Sequence, residues 1–154
     1  MDSKREFMKL VEKLLTRWEY SHVDAKVYAL LLLSDRPLTI SELAEGTGLS
    51  RSSISTSLSR LTREYMVDVR KEGRTKYFTA RPLFLEKFLE QPKIILEREV
   101  LPLEDVLRRM LDEADSEEKR RKLEDILKNL RFLEYALLRL IEVEVDELER
   151  KLNE

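Results

Sequence analysis

Residues 50–60 read SRSSISTSLSR, six serines in eleven positions, with Arg51 and Arg60 inside the run and Arg63 just beyond it. Hydroxyls exchange hydrogen bonds at short reach and guanidiniums add charge at longer reach, so this set suits phosphate oxygens and the edges of bases. Other chemistries lack their residues. His22 is the single histidine and there is no cysteine, which leaves no thiolate metal site, no disulfide and no common nucleophile–base pair. The acidic pairs Asp112-Glu113 and Glu117-Glu118 flank a helix break, where solvated charge is the ordinary reading. No glycine-rich phosphate loop is present. Neither an enzyme, nor a cofactor, nor a bound metal is expected.

Serine competes for nearby backbone groups and is a mediocre helix former. Yet Ile54, Leu58 and Leu61 sit at i, i+4 and i+7, one face of a helix. The spacing predicts a helix over 50–65 capped by Ser50, with a small polar outer face of Ser52, Ser53, Ser55, Thr56 and Ser59. Upstream, Thr39 and Glu42 form a capping box before ISELAEG, and Gly48 suits a turn needing positive φ. Downstream, Val67 to Lys71 and Lys76 to Ala80 read as two strands joined through Gly73. A short capped helix, a turn, a second helix and a basic hairpin is the order of a winged helix-turn-helix, whose second helix enters the DNA major groove. The expected DNA contacts are therefore Thr39, Ser50, Arg51, Ser52, Ser53, Ser55, Thr56, Ser59, Arg60 and Arg63, with Arg74 and Lys76 on a wing at 71–77.

Around this module the chain is helical. Phe7, Leu10, Val11, Leu14, Leu15 and Trp18 mark an amphipathic helix over 3–19, and Ser21 with Asp24 opens a helix so apolar that it should be central. After Pro82 come a helix near 83–90 and another near 93–114, started or kinked by Pro92 and Pro102. A final helix, capped by Asp115 with Glu118, is expected to run to about Leu152, with a seam that includes Leu130, Leu133, Leu137, Ile141 and Leu148. That seam, together with Phe7, Leu14 and Trp18, exceeds what a small winged helix can cover, and a twofold partner would bury it. The expected fold is mostly α with a small β-wing: a DNA-binding domain at 20–81 and a helical dimerisation region at 1–19 and 82–154.

Charge follows the same division. Residues 36–81 carry a surplus of four positive charges and residues 82–154 an excess of six negative ones, which an overall net charge of −2 conceals. Charged residues make up 39% of the chain against only three side-chain amides, Gln91, Asn129 and Asn153, the balance of heat-adapted proteins. No run of about 18 apolar residues occurs, and MDSKREF lacks the order of a signal peptide, so a cytoplasmic protein with no membrane partner is expected.

The stretch VYALLLLSDRPLTISELAEGTGLSRSSISTSLSRLTREYMVDVRKEGRTKYFTA resembles the MarR superfamily of winged-helix transcription regulators. It looks most like the GbsR-type branch, the repressors of glycine-betaine synthesis and their archaeal relatives. The echoes are VYALLLLSDRPLTISELAE, GLSRSSIS and the wing GRTKYF, and they cover about residues 20–80. Such relatives often have Gly-Leu after the recognition helix, where this chain has Tyr65-Met66. The resemblance implies a homodimeric repressor that binds double-stranded DNA at a palindromic operator, and it leaves open a small-molecule effector. A non-specific architectural DNA binder and a winged helix used for protein interaction are the alternatives.

Overall fold

The computed structural model describes residues 2–154. The chain divides into two compact units, Met1–Leu83 and Phe84–Glu154. In the first, helix α1 (Ser3–Arg17) packs on α2 (His22–Leu33), which also contacts α3 (Ile40–Thr47), α4 (Arg51–Arg63) and the second strand of a hairpin, β1 (Val67–Glu72) and β2 (Thr75–Ala80). The boundary expected at residue 20 does not coincide with the edge of a unit, because α1 buries Val11 and Leu15 in the winged-helix core.

Local chemistry sets these elements. Asp2 caps α1, and both expected capping boxes form, Ser21 with Asp24 and Thr39 with Glu42. Helix α2 is central because it is apolar on every side, burying Ala25, Val27, Tyr28, Ala29, Leu30 and Leu31. Helix α3 presses against it at Gly46, where an added Cβ would lie 2.7 Å from a methyl carbon of Leu30. Gly48, at φ 74°, ends α3 in the left-handed conformation and lets the chain turn into α4. The hairpin pairs Val67 with Ala80 through Glu72 with Thr75 around a two-residue turn, Gly73-Arg74. Positive φ at Gly73 (61°) and not at Arg74 is the type II′ pattern. Leu38 adds a short bridge to Phe78, with hydrogen bonds of 2.8 and 3.0 Å. The buried Tyr28 donates its hydroxyl to the carbonyl of Arg81 and accepts from the amide of Leu83, so the strand leaving the wing is held to α2. Arg81 also grips Asp68 with two bonds, of 2.6 and 2.7 Å, and holds its carboxyl below the usual range.

The second unit contains α5 (Phe84–Ile95), a π-helical turn at Leu96–Val100, α6 (Leu101–Glu113), α7 (Glu117–Ile141) and α8 (Val145–Leu152). Three expectations are corrected here. Pro92 does not separate two helices; it lies buried within α5. The irregularity falls instead before Pro102, whose ring would crowd the carbonyl of Arg98, and the wider turn, closed by Leu101 N–H to the Leu96 carbonyl, relieves it. Ser116, not Asp115, caps α7, leaving Asp115 to pair with Lys119 at 3.1 Å. The last helix also stops at Ile141 rather than 152. The sequence EVEVDE places acids where the C-terminal end of α7 disfavours them and the first turn of α8 favours them, and its valines weaken helix at the junction.

One buried charge stands out in this unit. Glu104 of α6 is 1% exposed, its Oε1 has no hydrogen-bond partner, and it hydrogen-bonds Glu134 of α7. Burial first, then Glu134, raises its pKa, while Arg108 and Arg131 act in the opposite sense. A carboxyl raised in the folded state binds more protons there than in the unfolded chain, so stability is highest at acid pH and declines as pH rises above the ordinary glutamate value through the raised one. Glu104→Gln is expected to flatten this decline above the ordinary glutamate range in urea unfolding. An unchanged pH profile in the variant would contradict the assignment.

Candidate nucleic-acid interface

The expected recognition helix is α4, and its two faces divide cleanly. Ile54, Leu58 and Leu61 are buried, while Arg51, Ser52, Ser53, Ser55, Thr56, Ser59 and Arg63 are exposed. Ser50 caps the helix through the amide of Ser53 at 3.1 Å and donates to the Ser53 hydroxyl at 2.9 Å. Thr56 donates to the Ser52 carbonyl at 3.1 Å. Ser52, Ser55 and Ser59 use their hydroxyls in no hydrogen bond among the described residues. Their short side chains leave the helix slim, and their donors and acceptors face solvent.

The helix is aimed by a carboxylate. Asp24 of α2 is 0% exposed. Its Oδ1 accepts from the Ser57 hydroxyl at 2.7 Å, its Oδ2 accepts from the Ser21 amide at 3.1 Å, and Arg60 Nη1 lies 3.3 Å from that same Oδ2. A buried carboxylate is tolerated only with such partners, and here three of them come from the α2 cap and from the inner face of α4. Two residues of the expected DNA-contact set also hold the fold, both of them half-exposed. Arg60 serves the Asp24 site, and Thr39 spends its hydroxyl and amide in the α3 capping box with Glu42. Arg36, 2.5 Å from Glu42, and then the Thr39 amide hold the Glu42 carboxyl at about 2.

The wing supplies a residue absent from the expected set. Register places Lys71 directly opposite Lys76, on the hairpin face that also carries Val69 and Phe78. Lys76 and Val69 join Ser55, Ser59, Thr62 and Arg63 of α4 in lining a groove of about 280 Å³. Like charges directly opposite destabilise a hairpin unless an anion lies near both. On the other face Arg70 stacks over Tyr77, 5.9 Å from the ring centroid, and pairs with Glu72. Arg74 occupies the exposed turn.

No group of three or more His, Cys, Asp or Glu among the described residues is placed to hold a metal. His22 pairs with Glu12 at 2.5 Å. No helix of the described residues is long and apolar enough to cross a membrane.

Anchoring and binding residues can be separated experimentally. Ser57→Ala is expected to cost about 1–3 kcal/mol of stability in denaturant unfolding, because it strips a buried acceptor of its partner. Lys71→Ala and Lys76→Ala should leave stability unchanged or slightly higher, and should each lower the salt slope of duplex binding by about one. Equal stability losses in all three variants would contradict the division.

With this geometry in view, residues 15–83 match the family model described as sugar-specific transcriptional regulator TrmB. No match was found among curated proteins. A solved transcriptional regulator is 22% identical with a TM-score of 0.55, the alignment covering 99% of this chain and 100% of that one. TrmBL2, an archaeal chromatin protein, is 21% identical with a TM-score of 0.53 over 74% of this chain, which spans 44% of that protein's length. MepR, a transcription regulator of the Staphylococcus aureus multidrug efflux pump MepA, is 16% identical over 84% of this chain and 91% of that one, at a TM-score of 0.43. The GbsR-type branch does not emerge from these matches. Residues 15–83 thus form a winged helix, the fold that the sequence resemblance implied, and are similar to the family described as sugar-specific transcriptional regulator TrmB.

Proposed function

We propose that the protein is a sequence-specific DNA-binding transcription regulator that acts as a homodimer on a palindromic operator. The observation that carries this reading is the outer face of α4: small, hydroxyl-rich, and held in place from behind by Asp24. A helix of that kind can lie deep in the major groove. Arg51 and Ser52 at its start meet base edges, while Lys71, Arg74 and Lys76 meet phosphates.

Dimerisation rests on the second unit. Its helices expose Leu103, Phe132, Leu133, Tyr135, Leu138 and Ile141, with Phe132 and Tyr135 63% and 64% exposed. Leu137, expected in the same seam, packs instead against Leu96 and Val100 within the unit, and Leu130 is half-buried. Phe7, Leu14 and Trp18 are half-buried on α1, and Leu148 is half-buried on α8. The exposed set on α7 is the stronger candidate for a twofold contact, and a palindrome read by such a dimer presents its half-sites about 34 Å apart.

Selection of bound fragments from genomic DNA at moderate salt tests the reading. An enriched palindrome is expected, with Arg51→Ala and Ser52→Ala each losing about 1–3 kcal/mol of discrimination between operator and random duplex. Uniform recovery of all sequences would mean an architectural DNA binder, and no recovery at low salt would remove DNA from the account. Leu133→Glu is expected to give monomers in sedimentation and to weaken operator binding with the α4 face intact. A wild-type monomer with full operator affinity would overturn the dimer.

A further inference from the structure

Helix α1 carries a row of cations that nothing in the winged-helix unit uses. Arg5, Lys9, Lys13 and Arg17 follow at steps of four, and all four are exposed. Like charges at i, i+4 destabilise a helix, so this row costs α1 stability three times over. None of the four has an ion-pair partner among the described residues. The N-terminal end of the row opens into a groove of about 570 Å³, where Arg5 and Lys9 are joined by Lys4 and by Lys26 of α2, beside Gly46 and Thr47 at the end of α3. Two carboxylates line it as well, and both are engaged elsewhere. Asp2 caps α1 through the Lys4 amide at 3.0 Å, and Glu12 is bonded to His22.

The position matters as much as the charge. Thr47 lies three residues before Ser50, the cap of the recognition helix, and no lining residue of this groove belongs to α4 or to the hairpin. The wing and this groove are therefore separate basic surfaces of one unit. Successive members of an i, i+4 row are about 6 Å apart along the helix axis, so the four charges extend over about 18 Å, a linear track and not a point site. A duplex backbone is a linear polyanion whose charge repeats at similarly short intervals.

From this juxtaposition we infer that the α1 row Arg5, Lys9, Lys13 and Arg17, with Lys4 and Lys26, is a second nucleic-acid surface that takes the phosphates of duplex DNA flanking the segment read by α4. It rests on the DNA-binding reading given above and extends its footprint. The track contributes affinity and salt dependence, and it carries no sequence information.

The test compares the wild-type chain with Arg5→Ala/Lys9→Ala/Lys13→Ala on two duplexes that share one core sequence, one trimmed to the core and one extended by a full helical turn on each side. On the extended duplex the plot of log affinity against log salt should become shallower by roughly two to three in the variant, about 0.9 for each phosphate that is no longer neutralised. On the trimmed duplex the slope should change little, and discrimination between core sequences should be preserved. Thermal unfolding should show a variant at least as stable as wild type, because the repulsive row has gone. Equal slopes for variant and wild type on the extended duplex would overturn the inference while leaving the α4 reading in place. Failure of the wild type to bind either duplex would instead overturn the DNA-binding reading itself.

Discussion

The winged helix is organised around one buried charge. Asp24 sits at the start of the central helix, accepts from the backbone at Ser21 and from Ser57 on α4, and pairs with Arg60. Removing a single partner from such a group leaves a carboxylate without compensation inside the protein, which is far more costly than the net contribution of the intact set. Helix α4 is thus fixed in rotation as well as in position: hydrophobic packing at Ile54, Leu58 and Leu61 would tolerate sliding, whereas directed polar bonds do not.

That constraint explains how a helix of poor formers can serve as a binding element. Serines on the outer face give up intrinsic helicity and pack against nothing. Their stability is supplied from below, by the Asp24 site and the apolar stripe, and from the ends, by the Ser50 cap and the turn at Tyr65-Met66. At that turn Tyr65 takes φ 61°, the left-handed conformation that glycine most often fills, and the Met66 and Tyr65 amides still close onto Leu61 and Thr62. The wing follows the same economy. Its base is tied down by Tyr28 and by Arg81 with Asp68, which leaves Lys71, Arg74 and Lys76 at its tip free of structural duty.

What could be read from the sequence was what local chemistry decides. The capping boxes of α2 and α3, the Gly48 turn, the hairpin turn through Gly73 and the inward stripe of α4 each lie within a few residues, and each formed as expected. The Asp24 site was not legible because its members lie 33 and 36 positions apart, and Asp24 already had a sufficient local role as a capping residue. The one hint was Ser57, a hydroxyl placed on the apolar side of α4. Lys71 escapes sequence reading because its meaning depends on hairpin register, and the bond from Arg60 to Asp24 because spacing alone cannot show where a long side chain reaches. In the second unit the leucine seam was visible but its partition was not: Leu137 turned to Leu96 and Val100, and the acid-rich junction at 142–144 ended the helix early.

The hydroxyl face of α4, held by Asp24, is the surface proposed to meet DNA. Backbone amide shifts of the 154-residue chain, followed by NMR as a selected duplex is added, test it most directly. The largest changes are expected at residues 51–53, 55, 56 and 59, with a second set at 71–76, and the smallest within α4 at the buried Ile54 and Leu58. Saturable binding with those residues unmoved, and the shifts concentrated on Phe132, Tyr135 and their neighbours, would contradict it.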